Sequence, residues 1–213
     1  MTELVFDCLD VRPDRYAAGP VLQFKLRISE TSGDPVHAIA LRCQIRIEPH
    51  LRRYAPEEET ALADLFGDVS RWGETLKPFQ FAFAAQMVPG FTGSTEVDVP
   101  VQCTYDLEVA ATKYFNALGD GDIPLLLLFS GSVFSKGETG FSVSQVPWHK
   151  ETQVRMPVSV WRELMDLYFP GQAWIRMRRD TIDRLLGYRS REALPSWDET
   201  FERLMKAAGE DAE

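Results

Sequence analysis

Two runs of strict alternation constrain this chain more than any other feature. In "VLQFKLRI", Leu22, Phe24, Leu26 and Ile28 share one parity, and Gln23, Lys25 and Arg27 share the other. In "IALRCQIRIE", Ile39, Leu41, Cys43, Ile45 and Ile47 alternate with Arg42, Gln44, Arg46 and Glu48. Successive side chains of a strand point to opposite faces, so a period of two means one buried face and one wet face. The residues between the runs, "SETSGDP", are turn formers: Gly33 tolerates positive φ, and Asp34-Pro35 disfavours helix. The two runs predict an antiparallel hairpin. Cys43 falls in a row of aliphatics, where a thiol behaves as a small hydrophobe.

Strand character returns four more times. In "PFQFAFAAQMV", Phe79, Phe81 and Phe83 share a parity, as do Val97, Val99, Val101, Cys103 and Tyr105 in "TEVDVPVQCTY". Pro100 has the opposite parity and predicts an edge or a bulge. "IPLLLLFSGSVF" predicts a buried strand, "SKGETG" a turn, and "FSVSQVPW" a further alternating strand. Helical spacing interrupts these strands at 56–66, where Leu62, Leu65 and Phe66 recur behind Glu57, Glu58 and Glu59, and again at 106–118. After Met156 the pattern is helical throughout, with Asp180 a candidate N-cap and Ser196 with Glu199 at capping-box spacing. The expected class is α+β: an antiparallel β-sandwich-like body over 1–156 with inserted short helices, and C-terminal helices over 157–213 packed on it as one compact unit.

Composition removes several function classes. With 45% hydrophobic and 26% charged residues, the chain has globular balance and length enough for a core without disulfides or metal. Its net charge of −9 opposes nucleic acid and anionic membranes, so neither is an expected partner. Cys8, Cys43 and Cys103 are widely spaced and odd in number, which favours free thiols in a reducing compartment. The first residues, "MTELVFDCLD", lack a basic region and a long apolar run, and "IPLLLLFSGSVF" is too short to span a bilayer. A cytoplasmic protein without membrane insertion is expected; its oligomeric state is not legible.

No catalytic signature emerges. His37, His50 and His149 form no metal-ligand spacing with each other or with the cysteines, so no metal site and no cofactor are expected. The serines of "FSGSVFS" and "GFSVSQ" do not match a nucleophile elbow, and the cysteines fall at buried parity, where a thiol is a poor nucleophile. "GDGD" at 119–122 lacks the oxygen ligands of a calcium loop and predicts a helix-to-strand turn. "PGFTGST" at 89–95 lacks the lysine and setting of a P-loop and predicts a hairpin loop exposing Phe91.

Two arginine groups point instead to binding. Arg42 and Arg46 occupy the wet parity of their strand, with Arg52 and Arg53 following. "WIRMRRDTIDRLLGYRSR" holds six arginines against two aspartates in an acidic chain. Arginine pairs with carboxylates and stacks on aromatics, and both residue types dominate binding hot spots. The candidate partner-binding residues are Arg42, Arg46, Phe91, Trp174, Arg176, Arg178 and Arg179. The plain alternative is that these arginines pair internally with the chain's own acids.

"IALRCQIRIEP", "MVPGFTGSTEVDVPV", "PLLLLFSGSVF" and "VWRELMDLYFP" together resemble, over the full length, an uncharacterised bacterial family often encoded near high-affinity nickel-iron hydrogenase genes. The resemblance implies a role in assembling, maturing or supporting the hydrogenase, and it carries no catalytic residues over to this chain. A weaker likeness, of architecture only, is to acidic export chaperones. A nickel-handling factor would show paired His or Cys ligands, which are missing here. The expectation is therefore a non-enzymatic protein-binding accessory or scaffold whose partners are hydrogenase subunits or maturation factors. The alternative is an enzyme or small-ligand-binding protein whose site assembles only in three dimensions.

Overall fold

The computed structural model describes residues 3–104, 106, 109–137 and 140–210. The expectations for Tyr105, Leu107 and the Glu138-Thr139 turn lie outside these residues. The protein is α+β, with eight strands in two antiparallel sheets and six helices among the described residues. Its contacts divide it into two units, Met1–Trp174 and Ile175–Glu213.

The first unit holds all the strands: β1 (Leu4–Pro13), β2 (Val21–Glu30), β3 (Val36–Ile47), β4 (Phe79–Phe91), β5 (Ser94–Gln102), β6 (Asp122–Gly137), β7 (Gly140–Gln145) and β8 (Glu151–Pro157). One sheet has the order β1-β2-β5; the other runs β4-β3-β6-β7, with β8 also paired to β6. Four helices belong to this unit: α1 (Pro56–Phe66), α2 (Trp72–Thr75), α3 (Ala110–Ala117) and α4 (Val158–Tyr168). Expected with the C-terminal helices, α4 instead lies in the first unit, where Trp161 packs on Phe115 of α3 at 4.7 Å.

The alternating runs are β2 and β3, but they do not form a hairpin. Each is a central strand of its own sheet: β2 lies between β1 and β5, and β3 between β4 and β6. Their apolar rows are buried as the parity predicts, Leu22, Phe24, Leu26 and Ile28 in one, Ile39 through Ile47 in the other. A chain that has two such rows can bury both by facing one sheet with the other, which a single flat hairpin cannot do. Phe6 of β1 stacks on Phe129 of β6 with ring centroids 4.3 Å apart, closing the core between the sheets. The crossing between β2 and β3 is locked by Glu30, whose carboxylate accepts hydrogen bonds from the backbone N–H groups of Glu3, Ser32 and Gly33 and from the Ser32 hydroxyl. The connection from β4 to β5 likewise passes between sheets, so Phe91 is not displayed on a hairpin tip; it is half-buried against the core. Pro100 does mark an edge, since among the described residues β5 pairs only with β2.

Two bulges decide which side chains face water. In β4, Ala82 lies opposite Ile45 but Gln80 lies opposite Arg46, so Phe81 is the extra residue. Phe79 and Phe81 pack on the core, whereas Phe83, expected on the same face, is 68% exposed. One inserted residue shifts the parity of everything beyond it. A similar shift at Leu9 in β1 buries Leu4 and Phe6 before it and Val11 after it.

The second unit contains α5 (Arg179–Arg191) and α6 (Trp197–Ala208). Ser196 caps α6 as its spacing predicts, accepting from the Glu199 N–H at 3.1 Å. Asp180 is not the N-cap of α5; it falls in the first turn, where the helix dipole favours it, and Arg178 holds the cap position. Arg189 ties the turn between the helices by donating to the carbonyls of Leu194 and Pro195 and lying over the Trp197 ring.

Candidate functional site

Two places in the first unit concentrate chemistry. The first lies where α1 and α3 meet the turn after β3. The Arg52 guanidinium reaches the Glu58 carboxylate at 2.8 Å, with both side chains almost sealed from solvent at 9% and 6% exposure. Arg52 also donates to the carbonyls of Asp120 and Asp122, and Glu58 accepts from the N–H groups of Ala55 and Gly119. Burial alone would raise the Glu58 pKa, but these N–H groups and Arg52 outweigh it and hold the carboxyl below its usual range. Beside them the Tyr54 and Tyr114 hydroxyls meet at 2.8 Å, and Tyr54 donates to the Pro49 carbonyl at 2.7 Å. Burial pushes both phenols up, Tyr114 to about 12. Every polar atom of this group has a partner inside the protein, so it pins two helices and a loop together and offers no free group for chemistry. The "GDGD" turn takes part through its backbone, not as a set of metal ligands.

The second place is the outer face of the five-stranded sheet. Arg42, Gln44 and Arg46 of β3 point outward there, as their parity predicts; Glu48, one step beyond the strand, is buried. Register sets Gln44 between Phe83 of β4 and Leu128 of β6, and Arg42 between Ala85 and Ser130. Met87 follows on β4, 60% exposed, because the bulge at Phe81 turned this half of the strand outward. Trp148 borders the face at 90% exposure. Its position follows from how β6 shares one edge between two strands: β7 pairs with 132–137 and β8 with 122–128. The turn between them bridges the gap, with the Val146 N–H donating to Gly131 and the Phe129 N–H to Lys150, and Trp148 stands at its tip. Arg42, Gln44, Phe83, Leu128, Ser130 and Trp148 line an open depression of about 670 Å3 here.

Arg12, Arg15, Arg27 and Arg52 each meet a carboxylate, whereas Arg42 meets none among the described residues. Arg46 donates to the Pro78 carbonyl, at 3.3 Å. The remaining candidates fall elsewhere. Trp174 is 58% exposed at the end of the first unit, edge-on to Phe169 at 5.1 Å. Arg176, Arg178 and Arg179 are exposed in the second unit, with Arg178 3.3 Å from Asp180. Of the predicted set, only Arg42 and Arg46 share a surface with the newly found Phe83, Met87 and Trp148. Parity concealed Phe83 and Met87; an isolated tryptophan in the turn sequence "VPWHK" was the one visible signal for Trp148.

Among the described residues, no group of three or more His, Cys, Asp or Glu side chains is placed to hold a metal ion. Burial raises the thiols of Cys43 and Cys103 to about 12, and that of Cys8 to about 11, leaving them protonated and unreactive near neutrality. No helix among the described residues is long and apolar enough to cross a membrane.

Residues 1–213 match the "Family of unknown function (DUF6084)", and the chain belongs to that family. No curated protein matches it. Among solved structures it is similar to a putative late embryogenesis abundant protein, at 16% identity over 74% of this chain and 72% of that one, with a TM-score of 0.32. It is also similar to a β-glucosidase from Kluyveromyces marxianus, at 13% identity over 73% of this chain and 15% of that one, TM-score 0.26. For β-glucosidase 3B from Thermotoga neapolitana the values are 14%, 72% and 17%, TM-score 0.25. Likeness at this level transfers neither fold nor activity.

Proposed function

We propose that this member of the DUF6084 family is a non-enzymatic binding protein that docks a partner protein on the outer face of its five-stranded sheet. The observation that carries the reading is Arg42: an arginine without a carboxylate in an acidic chain, set among Phe83, Ala85 and Leu128 on a face rimmed by Trp148. A partner offering a carboxylate within an apolar surface would complement it in charge and in polarity. Covering a Phe or Met side chain contributes about 2 kcal/mol each, and a guanidinium–carboxylate pair screened from water adds direction to the contact. An aromatic-and-arginine centre is also the composition that dominates binding energy at interfaces.

Within this proposal, the partner is a nickel-iron hydrogenase subunit or maturation factor, as the resemblance implies, and the chain acts as an accessory or scaffold. An enzymatic reading has no comparable constellation to build on: the one dense polar cluster among the described residues is internally satisfied. The test is affinity purification of tagged protein from its native cell under hydrogenase-inducing conditions, beside Arg42→Glu and Trp148→Ser variants. Near-stoichiometric hydrogenase subunits or maturation factors with the wild type, lost by at least tenfold with either variant, are expected. Equal recovery with the variants would remove the face from the proposal. Absence of any hydrogenase component would remove the partner.

A further inference from the structure

The strand that carries Phe83 and Met87 is also a sheet edge, and its edge is guarded unlike the others. β4 pairs with β3 on one side and with no strand on the other among the described residues. A free edge is a ready template for another strand, and folded proteins blunt it with charges, prolines, bulges or shortness. β1 carries Asp7, Asp10 and Arg12; β5 carries Glu96, Asp98 and Pro100; β8 carries Glu151 and Arg155; β7 is only six residues long. β4 runs for 13 residues, "FQFAFAAQMVPGF", without one charge. Its only guards stand near the ends: the bulge at Phe81 and the proline at Pro89, which lacks an N–H. Between them Ala82–Val88 is regular strand, paired residue for residue with β3.

We propose that two copies of this chain associate through β4, antiparallel, about a two-fold axis at Ala85. Antiparallel pairing of a strand with itself is self-complementary, so it closes as a dimer and does not propagate. Ala85 is the midpoint of the unguarded window, so this register uses every residue of it and meets neither bulge nor proline. On the outer face it sets Phe83 opposite the partner's Met87, twice, with the two Ala85 side chains between them. Thioether and aromatic ring make a favourable contact, and both side chains are otherwise mostly in water. On the inner parity Ala82 meets the partner's Val88 and Ala84 meets the partner's Gln86. Each copy has a net charge of −9, so its field opposes association everywhere, and this strip adds no local like-charge contact. The two five-stranded sheets would become one, with the outer face doubled in width and still uncovered. The inference does not rest on the partner proposed above.

Purified protein alone tests it. Sedimentation velocity across micromolar concentrations, at about 0.05 M and 0.5 M salt, should show a dimer whose population rises with salt as repulsion is screened. Ala85→Lys places two like charges on the axis at an exposed position and should weaken the dimer at least tenfold, with an unchanged thermal melt. Ala85→Cys tests the register without charge. Opposed Cβ atoms in such a pair lie about 4.5–5.5 Å apart, close to what a disulfide needs. Mild oxidation should therefore cross-link Ala85→Cys, and not Glu96→Cys on the β5 edge or the wild type with its own three cysteines. Monomer under all conditions overturns the proposal, as does a dimer indifferent to Ala85→Lys. A dimer lost with Ala85→Lys but not cross-linked through Ala85→Cys overturns the register.

Discussion

Arg42 and Arg52 stand ten residues apart on one continuous stretch, and they live in opposite environments. Around Arg52 everything is matched: Glu58, three carbonyls, the Tyr54 ring, and behind them a second layer of N–H groups and hydroxyls. Around Arg42 the neighbours are Phe83, Ala85, Ser130 and Trp148, and its charge faces water. The difference lies in what the backbone does next. β3 ends at Ile47, and a short turn followed by α1 wraps acidic and peptide groups around Arg52, whereas Arg42 lies mid-strand on an exposed face. A matched buried cluster holds a fold together and has little left to offer a partner. An unmatched arginine among exposed apolar groups contributes little to the fold and has binding capacity unspent.

The contrast can be broken most forcefully at Glu58. Glu58→Ala leaves the Arg52 guanidinium buried without its carboxylate and orphans the N–H groups of Ala55 and Gly119, which should cost about 3–5 kcal/mol in urea unfolding. A loss below about 1 kcal/mol would mean that water reaches the cluster, and the two environments would not differ as described. A second interior carboxylate sharpens the point through pH. The Ser32 hydroxyl and the N–H groups around Glu30 pull its pKa to about 2 from an ordinary 4.5. A carboxyl depressed in the folded state contributes stability that is complete above about 4.5 and disappears as pH falls toward 2. Wild type should lose stability steeply across that window, and Glu30→Gln should flatten the slope there while lowering stability at neutral pH. An unchanged acid limb in Glu30→Gln would sink the assignment. The smallest effect belongs to the outer face: Phe83→Ser with Met87→Ser should change the unfolding free energy of the monomer by no more than about 0.5 kcal/mol. A cost above about 2 kcal/mol would mean that these side chains already have an internal partner.

Much of this organisation was legible in the sequence, and the illegible part has a physical reason. The buried rows of β2 and β3, the cap at Ser196, the edge proline and the outward direction of Arg42 all follow from periodicity or local chemistry. What periodicity lacks is partner identity. The parity of β2 and β3 is the same whether they pair side by side or face each other across a core, so the hairpin expectation failed without any residue within the two strands being misassigned to a face. The fate of Arg52 depended on Asp120 and Asp122, far along the chain, and no local pattern carries that. Phe83 and Met87 were hidden for a third reason: the bulge at Phe81 leaves no mark in composition, only a change of phase. The outer face was therefore half legible, in its arginines and not in its apolar residues.

That change of phase has a consequence for how the protein can vary. Beyond Phe81, what β4 shows to water is set by where the bulge absorbs the extra residue and not by the kind of residue that follows. Deleting the single codon for Phe81 would restore the simple period without exchanging the faces, because Ala82 would still lie opposite Ile45 and Phe83 opposite Gln44. A mutational survey confined to substitutions would find Phe83 dispensable for folding, and would miss that its outward direction is set by the bulge that absorbs Phe81.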